Sequence, residues 1–222
     1  MRAAHQPTPD DFLAGIFVTM SGGTPRVNWR QALTGYIHHS SVPVAMAAYA
    51  ADDPAAAKRV FPKLKLTQLV GKRPSMDGRE AQALARLGGV DLPYDLFCDY
   101  YRLRDAFSAH LEEMLERHDL WPCFFRDGRG EGHYGIRPRG AQDDEAESKR
   151  EMAAFRAAAK EMSEVQRILV ATVICLYRGD ADTTWCRGKG WTWHAADAIA
   201  ALGDDEQARA DWHRLIALYP GW

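Results

Sequence analysis

The stretch DDEAESKREMAAFRAAAKEMSEVQRILVATVICLY, residues 143–177, decides the fold class. Met152, Phe155, Ala159, Met162, Leu169, Val173 and Leu176 recur at heptad-like spacing, interrupted only by Gln166, which gives a long helix one apolar seam. The acidic start complements the positive end of a helix dipole. The last ten residues, 168–177, are apolar on every side and place that half at the centre of a core. The spacing predicts one continuous helix over 143–177. Its seam closes either within the chain or against a protein partner, including a second copy in a homodimer.

Upstream, Phe97, Tyr100, Leu103, Phe107, Leu111 and Met114 keep one face of a second long helix, from Pro93 to about His118, with Glu113 and Arg117 paired outside it. Between the two lies WPCFFRDGRGEGHYGIRPRG, where Cys123 to Arg126 and His133 to Arg137 can pair as a short β-hairpin. Nearer the N-terminus, Thr8 caps a helix through Phe12, Leu13, Ile16, Phe17 and Met20 that Ser21-Gly22-Gly23 stops. Trp29, Leu33, Tyr36 and Ile37 mark another short helix, and Pro43, Pro54 and Pro62 each stand where a new one can begin. Asp77 and Glu80 have capping-box spacing ahead of AQALARL, which ends at Gly88-Gly89. The expected fold is all-α, a multi-helix globular bundle with one small β-hairpin or loop insertion at 121–139 and a C-terminal helical hairpin. It divides into a short-helix region, 1–90, and a long-helix core, 91–222, or forms one continuous domain.

The C-terminal residues GDDEQARADWHRLIALYPGW, 203–222, resemble the second half of a tetratricopeptide unit, with Gly203 at the turn and Ala208, Trp212 and Pro220 at that repeat's spacings. The preceding WTWHAADAIAAL departs from the first-helix pattern, and no second copy appears upstream. The resemblance implies a single helical hairpin and not a repeat array.

The 222 residues are 46% hydrophobic and 26% charged, enough to bury roughly 70% of the unfolded surface. The four cysteines, Cys98, Cys123, Cys175 and Cys186, form no C-x-x-C and no dense framework, so reduced thiols and a cytoplasmic location are expected. No signal peptide is visible at the N-terminus. The longest apolar run, ten residues, is far short of the roughly 20 that span a bilayer, and no membrane partner is expected.

Catalytic and cofactor chemistries each lack a part. Gly130, Gly132 and Gly135 form a G-x-G-x-x-G, but no helix opens on the last glycine and Pro138 follows closely, so a turn is expected rather than a nucleotide site. His110-Leu111-Glu112 and Pro122-Cys123 suggest a zinc deaminase, yet Arg126 stands where the second cysteine is needed. Ser40 and Ser41 follow His38-His39 without a nucleophile elbow, and the aromatic flanks of Cys123 argue for burial. No catalytic residue, metal ligand or cofactor is assigned, and an enzyme is the less favoured reading.

Charge is the remaining signal. Lys58, Arg59, Lys63, Lys65, Lys72, Arg73 and Arg79, against Asp77 alone, make residues 58–79 +6 in a chain of net charge -2. Arg126, Arg129, Arg137 and Arg139 add a second basic group around the glycine loop. Ala85, Gly89, Val90 and Pro93 have helix-turn-helix spacing, although Asp95 and Cys98 fall where that motif buries aliphatic side chains. The expected function is that of a non-enzymatic, nucleic-acid-associated regulatory or accessory protein, contacting the phosphate backbone of DNA or RNA through these eleven cations. A protein-interaction adaptor using the seam and the C-terminal hairpin is the alternative, and an enzyme with an unrecognised pocket the third.

Overall fold

The computed structural model describes residues 18–21, 24–27, 43, 44, 46, 47, 50, 53–178, 184–188 and 190–222. Among them, eight α-helices follow in order: α1 (Pro54–Val60), α2 (Leu66–Val70), α3 (Gly78–Leu87), α4 (Tyr100–Arg117), α5 (Glu145–Glu161), α6 (Glu164–Arg178), α7 (Ala195–Gly203) and α8 (Glu206–Leu218). Strand β1 (Val18–Ser21) pairs antiparallel with β2 (Thr24–Val27), and β3 (Phe124–Arg126) with β4 (Ile136–Pro138). The molecule is a mostly helical bundle with a small β insertion. The insertion falls where expected, with Phe124 opposite Pro138 and Arg126 opposite Ile136.

Three local readings are corrected. β1 occupies residues read as the end of a helix; its strands flank Gly22-Gly23, and a glycine pair between short β-prone runs is a hairpin signal that outweighs a weak helical period. The rest of that helix, the Trp29 to Ile37 stretch and His38 to Ser41 lie outside the described residues. The 143–177 segment is two helices. Backbone geometry turns extended at Met162 (ψ 142°), and a capping box restarts the chain. The Gln166 N–H donates to Ser163 Oγ at 3.2 Å, and the Ser163 N–H donates to Gln166 Oε1 at 2.9 Å. Gln166 Nε2 also donates to the His118 carbonyl at 2.9 Å, tying the break to the end of α4.

The seam residues remain in the core despite the break. Phe155, Leu169 and Val173 are fully buried, Met152, Ala159 and Leu176 nearly so, and Met162 packs against them. Residues 168–176 of α6 are all buried, and α6 packs on α2, α7 and α8, so the seam closes within one chain. The 93–118 helix is also split. Tyr94–Cys98 is a 3-10 turn, after which Asp99 caps α4 by accepting from the Tyr101 and Arg102 N–H groups at 3.0 and 3.2 Å. Phe107, Leu111 and Met114 are fully buried, but Tyr100 points outward.

α8 is the hub, packing on α3, α4, α6 and α7. Trp212 at its centre is fully buried, and its indole N–H donates to Thr172 Oγ1 at 2.9 Å. His213 presses against the end of α3, where a Cβ on Gly88 would stand 2.5 Å from that of His213, so only glycine fits. Asp211 is buried and accepts from Arg117 Nη1 and His118 Nε2, each at 2.8 Å. Burial opposes its charge, but those two hydrogen bonds and the neighbouring positive charge outweigh it and hold the carboxyl down at about 2. The α7–α8 pair is the C-terminal helical hairpin, with Ala208 and Trp212 both inside. No helix among the described residues is long and apolar enough to cross a membrane.

Candidate functional site

The structure separates the eleven predicted cations into three groups. Arg73 faces inward: its Nε and Nη2 donate to the carbonyls of Ile216 and Ala217 at 2.6 and 2.8 Å, and its Nη1 to that of Met76 at 3.3 Å. It therefore satisfies the open C-terminal carbonyls of α8, and burial pulls its pKa down to about 10. Lys58 pairs with Asp197 at 2.5 Å, Arg59 with Asp53 at 3.7 Å, and Arg79 lies over the Tyr94 ring at 5.9 Å. Lys63, Lys65 and Lys72 make no ion pair among the described residues. Lys63 and Lys65 sit beside the loop before α7: Lys65 bridges to His194, and the Leu66 N–H donates to the Trp193 carbonyl at 3.1 Å.

The four arginines around the glycine loop all have carboxylate partners. Arg126 binds Glu112 at 2.8 Å and lies over the Trp121 ring. Arg129 and Arg137 both donate to Asp127, at 2.9 and 2.8 Å, which holds that carboxyl well below its ordinary range. Arg129 also reaches Asp143 at 2.5 Å, and Arg139 binds Glu151. The glycines serve the turn. A Cβ on Gly130 would stand 2.6 Å from the Tyr134 carbonyl carbon, so Gly130 and Gly135 pass backbone against backbone, and Gly132 takes φ +56°. The Asp127 and Gly130 N–H groups donate within the turn, to Gly135 and Asp127 carbonyls at 2.6 and 3.3 Å.

The candidate residues His110 and Cys123 sit in packed surroundings. His110 is buried with Nε2 on the Asp211 carbonyl at 3.0 Å, and the described residues contain no group of three or more side chains fit to hold a metal. Cys123 is buried, its thiol pushed up to about 12 by burial, which favours the neutral thiol over the thiolate. Ser108 Oγ stands 2.9 Å from His133 Nδ1, a serine–histidine approach invisible in sequence. The same Oγ also receives the His133 backbone N–H at 3.1 Å, and the imidazole is fully enclosed between Phe107 and Trp222. This pair braces the loop against α4. The helix-turn-helix spacing has the same outcome, because α4 commits its apolar face to α8.

One concave site was not anticipated. A cavity of about 420 Å³ opens between the C-terminal half of α5, the first turn of α6 and the residues Trp185, Arg187 and Trp191. Phe155, Trp185 and Trp191 supply its aromatic walls, and Arg156, Lys160, Arg167 and Arg187 its charge. None of its described lining residues is acidic, and Arg156, Lys160 and Arg167 make no ion pair among the described residues. Arg167 Nε is buried without a hydrogen-bond partner. Its guanidinium lies against the backbone of Gly190, at φ +93°, in space that any side chain at 190 would fill. Trp185 is fixed by its indole N–H on the Arg139 carbonyl at 2.6 Å, whereas half-buried Trp191 stacks on Phe155 at 6.0 Å with a tilt of 26°.

The cleft gathers positive charge from exposed Arg156 and Lys160 and part-buried Arg167. Arg156 and Lys160 are like charges four apart on one helix, a repulsion of about 0.2–0.5 kcal/mol. Arg167 shares the first turn of α6 with Glu164, whose carboxylate meets the positive end of the helix dipole and accepts from the Trp193 indole N–H at 3.0 Å. An anion in the cleft offsets the repulsion between Arg156 and Lys160, and a planar ring can lie on its aromatic wall. An unused signal in the sequence is WCRGKGWTWH, residues 185–194, in which Trp185, Trp191 and Trp193 flank Arg187 and Lys189. The other half of the cleft comes from residues 155–167 and needed the fold to bring it there.

No protein-family model matches the chain, and no curated protein or solved structure is significantly similar to it.

Proposed function

We propose that the protein is a non-enzymatic nucleic-acid-associated accessory protein whose phosphate-contacting surface is the Arg156–Lys160–Arg167 cleft, extended by Lys63 and Lys65 across the loop before α7. The observation that carries this reading is the convergence of those three cations on one aromatic cleft, without a carboxylate among its described lining residues. Cations placed together around a concave site with low-dielectric walls focus the field on an incoming polyanion. The arginines of the glycine loop are left out of this surface, since their charge is neutralised by Asp127, Asp143, Glu112 and Glu151. The adaptor reading has less support, because the heptad-like seam is filled by the protein's own helices.

The test is fluorescence anisotropy with labelled oligonucleotides at several salt concentrations. Each phosphate neutralised on a single strand contributes about -0.7 to the log–log salt slope, so the five cations of this surface give a slope of roughly -3.5. Replacing Arg156, Lys160 and Arg167 by alanine is expected to flatten that slope and weaken binding to all sequences alike, as loss of backbone contacts does. Replacing Arg129 and Arg137 is expected to leave the slope unchanged. Absence of binding at low salt, or binding indifferent to the cleft substitutions, contradicts the proposal.

A further inference from the structure

We infer that the cleft is a base-binding subsite: it takes one unpaired nucleobase against Trp191 and holds the adjoining phosphates on Arg156, Lys160 and Arg167. This deepens the nucleic-acid reading and rests on it. Phosphate contact alone needs cations on an open, convex or grooved surface, and Lys63, Lys65 and Lys72 already offer that. Here the cations instead rim a cavity of about 420 Å³, within the range of small-ligand sites, whose walls are Phe155, Trp185 and Trp191. The two indoles differ in what they can do. Trp185 is buried, its N–H committed to the Arg139 carbonyl at 2.6 Å and Arg178 over its ring at 5.6 Å, so it serves as a fixed wall. Trp191 is only half-buried and is backed by Phe155 and, edge to face at 6.2 Å, by Trp193. Trp193 is itself anchored by its indole N–H on Glu164 at 3.0 Å. Trp191 is thus a ring held rigid from behind with surface left for a ligand, which keeps the entropic cost of stacking low.

A cavity of this shape selects strandedness. Bases in a duplex are stacked on both faces and cannot enter, whereas an unpaired base brings a π-face to the indole and a phosphate on either side to the cationic rim. Every base has a π-face, so the subsite is tolerant of sequence. Gly190 is part of the device, since a side chain there would occupy the position of the Arg167 guanidinium.

The experiment titrates four probes at one salt concentration, read by anisotropy and by quenching of tryptophan fluorescence: a twelve-nucleotide thymidine strand, a strand of equal length made of abasic residues, a duplex, and thymidine monophosphate. The thymidine strand is expected to bind roughly 5- to 150-fold more tightly than the abasic strand, the stacking contribution of one base, and to quench fluorescence. Trp191→Ala is expected to remove that difference without changing the salt slope, and Trp191→Phe to restore most of it. Equal affinity for the thymidine and abasic strands overturns the subsite while leaving phosphate binding intact. Equal affinity for strand and duplex does the same, and a monophosphate binding as tightly as the strand assigns the cleft to a free nucleotide instead. Failure of all four probes to bind overturns the nucleic-acid reading itself. The abasic comparison uses the unaltered protein and so does not depend on whether a variant folds.

Discussion

Three buried histidines, His110, His133 and His213, are each held neutral by burial, and His213 most strongly, with its pKa lowered to about 4. The sign follows from linkage: between the unfolded value near 6.5 and the folded value, the unfolded chain binds the extra proton, so stability falls as pH falls. For His213 the loss falls between pH 6.5 and about 4. The paired carboxylate Asp211 adds its own loss only lower, as pH drops from 3.8 to about 2. The urea midpoint is therefore expected to decline from pH 7 to pH 5, and His213→Asn, which can keep the hydrogen bond to the Arg209 carbonyl, to flatten that decline. A midpoint equal at both pH values would show that these imidazoles do not stay neutral. Arg73 shows what single residues conceal in sequence. It sits in a basic run like its neighbours, but the two carbonyls that draw it onto α8 are 143 and 144 residues further along the chain, so nothing local separates a helix-capping cation from an exposed one.

Elements were legible where their ends carry their own chemistry. Asp77 accepts from the Arg79 and Glu80 N–H groups while Glu80 Oε2 accepts from the Asp77 N–H, the reciprocal cap that the spacing implies. The α5–α6 junction carries the same kind of signal in Ser163 and Gln166, and was missed because a strong apolar period runs across it. Burial follows that period even where the backbone does not, since residues on either side of the break still face one core. The two features separate energetically. Leu169, fully buried, is expected to cost roughly 2–5 kcal/mol on replacement by alanine, a transfer and cavity loss. Ser163→Ala, which removes one capping oxygen, is expected to cost only about 1 kcal/mol. Urea denaturation measures both; a capping loss as large as the cavity loss would mean that the break, and not the core, organises this pair of helices.

At the scale of the whole molecule, charge in the sequence and charge at the surface are different quantities. The glycine loop has the densest arginines, and every one has a carboxylate within 4 Å, whereas Arg156, Lys160 and Arg167 look unremarkable along the chain and converge in the fold. The WCRGKGWTWH half of the cleft is contiguous in the sequence but was not read as a site, and the other half depends on the break between α5 and α6. A competing surface also exists. Tyr94, Tyr100, Tyr101 and Tyr134 are the exposed large aromatics among the described residues, and Tyr100 and Tyr134 share a hydroxyl hydrogen bond of 3.0 Å. The most direct test of the account is therefore where a nucleic acid lies. A single-stranded oligonucleotide carrying 5-iodouracil, irradiated on the protein and mapped by mass spectrometry, is expected to crosslink to Trp191 or its immediate neighbours in 185–191, and to lose that crosslink in the Arg156, Lys160 and Arg167 triple alanine variant. Crosslinks confined to Tyr94, Tyr100, Tyr101 or Tyr134, and unchanged in that variant, would contradict it.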